Sequence, residues 1–520
     1  MKVFILIFLF SIQVCSAQND IPNTGLEINW GPDNERKSNI YGILPDKGFD
    51  FYAFRISNSR LLSSPKVSRY LDGKSVLTKS IDQKIDNNIV LLEDIITFNG
   101  ELVGFLSDKR GSVNSLYMVR YDTEIDPFGE AVEIASYAVE KGWSRGSFRV
   151  IESDNKNFLC IEYLIPGKRE QFDRFGYKVI DTNYIEISSG EYELPYNARS
   201  VSVDLRHLTN SGDYLLGVSI SNVGERTIWR DYSTIDKTVL VHVIGDSIYE
   251  YDLKFDQKRV FNFGISSVDS LLMVTGTFGE PFSAGAQGVF FQRINLKSKK
   301  SEKESFQEFP KLFLSQEVTD NQNFWGDNRQ GNRSNSDLLN YAFRALHPLS
   351  DGSIVVVLEQ FYIYQQSSTD ARGISQNINH YYYEDIITFR MDSTGVFQWI
   401  VKIPKEQHST NDYGYFSSIK TFMQQDKLVC FFNDNRKNYT DYGEFINFDR
   451  SINFPVRKKS YAFALAEVNL KTGEVQRKMF NDYTQTNGFV VLKLSPIDYR
   501  NNQMILYSTG KKERFGLMQF

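Results

Sequence analysis

An all-β fold is the expectation from three observations on this sequence. Helical periodicity is nearly absent along its 520 residues, short runs rich in Val, Ile, Phe, Tyr and Leu recur, and clusters of Asn, Asp, Gly and Ser bound them. The composition is that of a folded chain, with 59 Lys and Arg against 64 Asp and Glu, 41% hydrophobic and 14% aromatic residues. Disordered and collagen-like polymers are thereby excluded.

The first element reads as an export signal. Met1-Lys2 is followed by the apolar run Val3 to Ile12 and then by Gln13-Val14-Cys15-Ser16-Ala17, a basic, apolar, small-residue plan that expects cleavage after Ala17. The run is too short to span a bilayer, which takes about 20 apolar residues. Residues 1–17 carry one charge, Lys2, so the mature segment 18–520 moves from a net charge of −5 to −6. Cys15 is a position for a lipid anchor, but the bulky Val14 precedes it and an anchor is not expected. The expectation is an exported protein of the periplasm, cell surface or medium, with no transmembrane segment. No basic footprint for nucleic acid is present. Of the remaining cysteines, Cys160 and Cys430 lie in apolar runs and read as buried thiols, with pairing left open. The five histidines are scattered singly, so neither a metal centre nor a cofactor is expected.

Leu26-Glu27-Ile28-Asn29-Trp30 comes next, a strand-like segment with no neighbour in sequence to pair with. Hairpins follow it. Their turns are Pro45-Asp46-Lys47-Gly48, Asn99-Gly100, Asp154 to Asn157, Asn210 to Asp213, Val268-Asp269-Ser270, Ser350 to Ser353, Gln424-Gln425-Asp426 and Asp498 to Asn502, residue types that tolerate left-handed backbone. Third strands are expected near 115–121, 174–180, 237–244, 288–296, 385–391 and 461–468. Four strands per unit, repeated at about 63 residues, are the blades of a β-propeller with inserted loops. Eight blades are expected, with seven as the alternative because the first unit is short. The last unit ends at Phe520 one strand short. The orphan segment near Trp30 is therefore expected to supply that outer strand and close the ring.

Two stretches interrupt the repeat, 301–339 and 365–380, and are expected as long insertions in the single domain 18–520. The first holds Phe324 and Trp325. The second leads into Tyr381-Tyr382-Tyr383-Glu384-Asp385.

Catalytic signatures are missing: no phosphate-cradling G-x-x-x-x-G-K-[ST] loop, no G-x-S-x-G elbow and no H-E-x-x-H pair occur. Asp392 to Trp399 shares the Asp, Thr-Gly and Trp of quinone-dependent propeller turns, one residue short, and reads better as a hairpin whose Trp docks between blades. Asn433 to Asn438 reads as a hydrogen-bonded turn in preference to a calcium loop.

Residues 350–468 are the most motif-like. Asp351-Gly352-Ser353, the apolar strand Ile354 to Leu358, Glu359-Gln360-Phe361-Tyr362, Tyr381 to Asp385, Trp399, Lys402-Ile403-Pro404-Lys405 and Asn433-Asp434-Asn435 resemble the repeats of uncharacterised bacterial secreted β-propeller-like proteins. That resemblance implies fold and export, and no activity.

The functional expectation is recognition of a protein or glycan partner in the cell envelope or outside it. Trp325, Tyr381, Tyr382 and Tyr383 are expected as flat contact surfaces, with Glu359, Glu384 and Asn433 as polar partners. A polysaccharide hydrolase or lyase using carboxylates on the same face is the alternative. A structural envelope subunit is the third class, and it would expose a large apolar patch.

Overall fold

The computed structural model describes residues 25–36, 38–56, 65–139, 146–166, 174–196, 200–221, 235–253, 258–280, 283, 285–311, 313, 338, 340–369 and 375–520. They form an all-β propeller of antiparallel sheets. In chain order the sheets run from Asn39–Pro45 to Lys74–Ser80, Leu91–Phe98 to Pro127–Ala138, Ser147–Glu152 to Glu186–Glu193, Val201–Leu208 to Ser247–Asp252, Arg259–Val268 to Lys300–Glu308, Tyr341–Pro348 to Phe397–Ile403, and Ile419–Gln424 to Val475–Asp482. In each of these the four strands lie side by side in the order in which the chain makes them.

The eighth sheet is built differently. Phe489–Val490 and Ile497–Asp498, separated by the single 3-10 turn Leu492–Leu494, both pair with Gln503–Thr509. Gln503–Thr509 pairs with Glu513–Gln519, whose far edge takes Ile28–Trp30 in antiparallel register, Ile28 opposite Met518 and Trp30 opposite Gly516. The orphan segment thus holds the outer position that the end of the chain leaves open.

Hydrophobicity explains this layout. Inner strands are apolar on both faces, as in Leu428-Val429-Cys430-Phe431-Phe432, because each sheet is covered by a neighbour on either side; outer strands such as Lys300–Glu308 are exposed. Each apolar cluster joins two successive sheets. Tyr52 and Val67 meet Leu102 and Leu106, Val355 and Val357 meet Leu428 and Cys430, and Phe431 and Phe463 meet Met504 and Leu506. Phe51 and Tyr70 of the first sheet pack on Phe515 of the eighth, each ring centre 4.7 Å from its own. Beside them lies a buried ion pair in which Arg55 Nη1 and Nη2 donate to the Glu513 carboxylate at 3.0 and 2.5 Å.

First strands touch first strands of neighbouring sheets, and the Leu492–Leu494 turn touches both Asn39–Pro45 and Ile419–Gln424, so these edges face the axis. Tight turns joining first to second and third to fourth strands emerge at one end. The ends of second and fourth strands lie at the other, where among the described residues the connection from Asn435 to Tyr461 emerges. First strands of the first, second, fourth, fifth and sixth sheets carry a bulge near that end, at Tyr41, Glu93, Asp204, Phe261 and Arg344. A bulge turns the extra side chain away from the ladder.

Several expectations need correction. Residues 301–308 are not insertion, because Lys300–Glu308 is the outer strand of the fifth sheet. Phe309 and Phe313 then pack in the core, and Trp325 lies outside the described residues. Nor is 365–380 a loop. Ile354–Thr369 and Ser375–Met391 continue as a paired hairpin to Thr369 opposite Ser375, well past the sheet they start in. Its Gln, Ser and Asn content disguised it, since the layer is packed on one side only. Gln407–Thr410 adds to this hairpin and Ile452–Asn453 adds in parallel, making a raised layer on the long-connection end.

Trp399 behaves as a docking residue. Its indole Nε1 donates to the Leu470 carbonyl at 2.8 Å, in the next sheet. Cys160 and Cys430 are buried free thiols in the third and seventh sheets, burial pushing the Cys430 thiol up to about 12. Among the described residues no helix is long and apolar enough to cross a membrane.

Candidate functional site

The sequence-chosen tyrosines sit in the raised layer, but their rings are spent on packing. Alternation puts Tyr362, Tyr364, His380, Tyr382, Glu384, Glu406 and His408 on one face of it. There Tyr382 is stacked between Tyr362, at 4.8 Å, and His408, at 4.6 Å, so neither ring face is open to a ligand. His380 and His408 share a 3.0 Å hydrogen bond between Nδ1 and Nε2. On the opposite face, Tyr383 is buried against Phe361 at 4.5 Å and Tyr381 is buried beside Tyr413. Flat open platforms were expected at all three. The correction follows from cross-strand pairing, which places these rings side by side at strand spacing.

Glu359 and Asn433 are also interior groups. Glu359 is fully buried, accepting from Arg344 Nε at 2.7 Å and Ser418 Oγ at 2.8 Å, with the Lys405 ammonium 2.8 Å away. Burial opposes its ionisation, yet Lys405 and Arg344 outweigh burial and hold the carboxyl below its ordinary value. Lys405 donates to the Tyr383 carbonyl at 3.0 Å, and burial lowers its ammonium despite Glu359. Asn433 is consumed by three bonds: it donates to the Phe416 and Val490 carbonyls at 2.7 and 2.8 Å and accepts from the Tyr461 hydroxyl at 2.8 Å. Asp434 is likewise held by Tyr439, Asn438 and Arg477, the hydrogen-bonded turn anticipated there.

Glu384 remains half-buried. It accepts from the Tyr362 hydroxyl at 2.6 Å, and burial raises its carboxyl with Asp385 adding to the effect. Glu406 immediately precedes Gln407, the partner of Tyr383, and lies within reach of the Glu384 charge. Burial, then the charges of Glu384 and Asp385, push Glu406 up to about 7.

What the sequence reading missed is the segment after Thr410. Asn411, Tyr413, Gly414 and Ser418 all have left-handed backbones, with φ of 52°, 57°, 63° and 81°. For a non-glycine residue that conformation costs about 1–2 kcal/mol. Asp412 holds the loop, accepting from Ser409 Oγ at 2.5 Å and from the Gly414 N–H at 2.9 Å. Gly414 is pressed on Tyr383, where a Cβ would come within 2.3 Å of the ring. The strained loop presents Tyr413, a residue 78% exposed.

Two cations adjoin it. Lys493, from the turn that replaces the inner strand of the eighth sheet, donates to the Tyr413 carbonyl at 2.8 Å and to the Tyr383 hydroxyl at 2.7 Å. Its ammonium is 4.5 Å and the Arg344 guanidinium 5.8 Å from the centre of the Tyr383 ring. Dehydration lowers Lys493 to about 8, Arg344 and Lys405 adding to it and Glu359 and Asp412 opposing. Arg344 is the bulge residue of its strand, which is why it leaves the ladder and reaches this spot. Asn411-Asp412-Tyr413-Gly414 was the available signal, a turn sequence with an aromatic in it. Among the described residues no group of three or more His, Cys, Asp or Glu is arranged to hold a metal ion.

No protein-family model matches the chain, and no curated protein matches it. Solved structures similar to it include a protein of unknown function from Bacteroides caccae, 12% identical over 68% of this chain and 93% of that one, TM-score 0.25. The Vanderwaltozyma polyspora Nup133 β-propeller domain is 11% identical over 80% and 91%, TM-score 0.35. A PL25 ulvan lyase is 9% identical over 87% and 96%, TM-score 0.33. These are likenesses in fold. The propeller assignment rests on the order of strands within the sheets and of the sheets along the chain.

Proposed function

We propose that the chain is an exported recognition protein, an eight-bladed propeller closed by its N-terminal strand, that binds a glycan on its long-connection face. The export half of this reading is supported by the signal-like segment 1–17. The binding half is carried by one observation: Tyr413, held in a costly left-handed conformation, is an exposed residue whose backbone carbonyl accepts from Lys493 at the axial end of the sixth to eighth sheets. Strain of this kind persists where the surroundings enforce it and clusters at functional sites. An open aromatic ring suits the apolar face of a sugar, and loops carried on a rigid scaffold are the usual place for binding.

The test is affinity electrophoresis of the mature protein through gels containing neutral and acidic polysaccharides. Retardation by at least one polysaccharide, abolished in Tyr413→Ala, is expected. Mobility unchanged in every gel, or unaffected by Tyr413→Ala, would overturn the reading.

Cleavage of a polysaccharide is the second reading, favoured by two neighbouring carboxyls, Glu384 and Glu406, the former pushing the latter toward neutrality, the condition of a general acid. Release of reducing ends that disappears in Glu406→Gln would establish it in place of recognition alone.

A further inference from the structure

Arg344 engages Glu359 through Nε, while its two terminal amino groups make no hydrogen bond among the described residues. Among the described residues Lys493 uses two of its three N–H groups. Among the charges that act most strongly on Lys493 are Arg344 and Lys405, both positive, and Glu359 and Asp412, both negative. Lys405 is fully buried and paired with Glu359, and Asp412 is engaged within its own loop. Glu359 is shared between Lys405 and Arg344, and Asp412 is bound within its own loop, so neither carboxylate is given over to Lys493. The two cations with donors to spare come from different sheets, both over one ring, beside the exposed Tyr413.

We infer that the ligand at this site is an anionic glycan, a uronic acid polymer whose carboxylate takes the open donors of Arg344 and Lys493 while a sugar ring lies on Tyr413. The inference rests on the glycan reading and sharpens it. A guanidinium with both terminal amino groups open matches a carboxylate in a fork, the stronger kind of hydrogen bond. Like charges held near each other by the fold are costly until an anion arrives, and here the fold holds them with a buried ion pair and a strained loop. An acidic peptide would satisfy the cations equally; Tyr413, solvent-exposed, favours a ligand with flat apolar faces repeated along its length.

The experiment is calorimetric titration of the mature chain with oligomers of galacturonic and of mannuronic acid, with their methyl esters, and with polyglutamate as the acidic peptide. The acid oligomers are expected to bind, and their methyl esters to bind about tenfold or more weakly, the worth of one charge-assisted contact. Lys493→Gln and Arg344→Gln should each weaken the acid forms about tenfold and leave the esters unchanged, with circular dichroism confirming the fold of each variant. Tyr413→Ala should weaken acid and ester alike. Affinity for the acid forms should fall as the pH rises through about 8, where Lys493 loses its charge. Acid and ester of equal affinity would overturn the anionic inference and leave the glycan reading intact. Polyglutamate binding as tightly as the sugars would overturn both. Silence from every acid oligomer would overturn the inference, and the gels with neutral polysaccharides then decide the reading separately.

Discussion

Glu359 shows how a residue chosen from sequence as a ligand group turns out to hold the site up. It is wholly buried with Lys405, and breaking such a pair by removing one partner leaves the other charge uncompensated. Glu359→Ala should therefore cost about 3–5 kcal/mol in urea unfolding at pH 7. Its carboxyl is held below the ordinary 4.5, so the stabilisation is fully present above pH 4.5 and is lost as the pH falls through the lower folded value. Glu406 has the opposite sign. Its folded value near 7 exceeds the unfolded 4.5, so ionising it works against folding, and its share of stability declines as the pH rises from 4.5 to 7. Glu406→Gln should raise stability at pH 8 by about 1–2 kcal/mol, reduced from the full shift by its partial exposure, and leave it unchanged at pH 4. Equal urea midpoints for wild type and variant at pH 8 would contradict this. Sequence drew attention to Tyr381, Tyr382 and Tyr383 because three adjacent tyrosines stand out. It could not show that stacking uses both faces of Tyr382, or that a bulge at Arg344 and a strained loop at Tyr413 meet from distant parts of the chain.

Hairpins were legible because turn chemistry is local. The turns at Asn99-Gly100, Ser350 to Ser353 and Gln424 to Asp426 each join a first strand to a second, and the third strands expected near 174–180 and 461–468 are present. The raised hairpin was misread because its strands lack alternation of apolar and polar residues, their partner being a thin layer instead of a core. The outer strand of the last sheet was legible as an orphan in search of a place. That strand, Ile28–Trp30, brings Leu26 into the seventh and eighth sheets' core, and Arg514 donates to the Gly31 carbonyl at 2.9 Å. Deleting residues 18–33 should lower stability by at least about 3 kcal/mol, the burial of one Leu plus half the apolar stem of Trp30. An unchanged urea midpoint would show that the strand is dispensable. Gly414→Ala should disturb the loop without unfolding the propeller, read as loss of ligand binding at an unchanged melting temperature.

On the scale of the whole molecule, the division of labour between its two ends follows from topology alone. Antiparallel order sends the turns that join first to second and third to fourth strands to one end and the connections between sheets to the other, where the raised layer and the Tyr413 loop lie. Packing of the first sheet on the eighth, through Phe51, Tyr70, Phe515 and the Arg55–Glu513 pair, makes unfolding of either sheet expose the other. Glu513→Ala should cost about 3–5 kcal/mol and keep one cooperative transition, whereas Arg55→Met with Glu513→Leu should restore most of it, since an apolar pair can replace a buried ionic one. Two separated transitions in scanning calorimetry would contradict a single ring. The most direct test of the central claim is a crystal of residues 18–520 soaked with a galacturonic acid oligomer. Sugar density is expected on Tyr413 with a carboxylate against Arg344 and Lys493; ordered sugar on the tight-turn end instead would contradict the account.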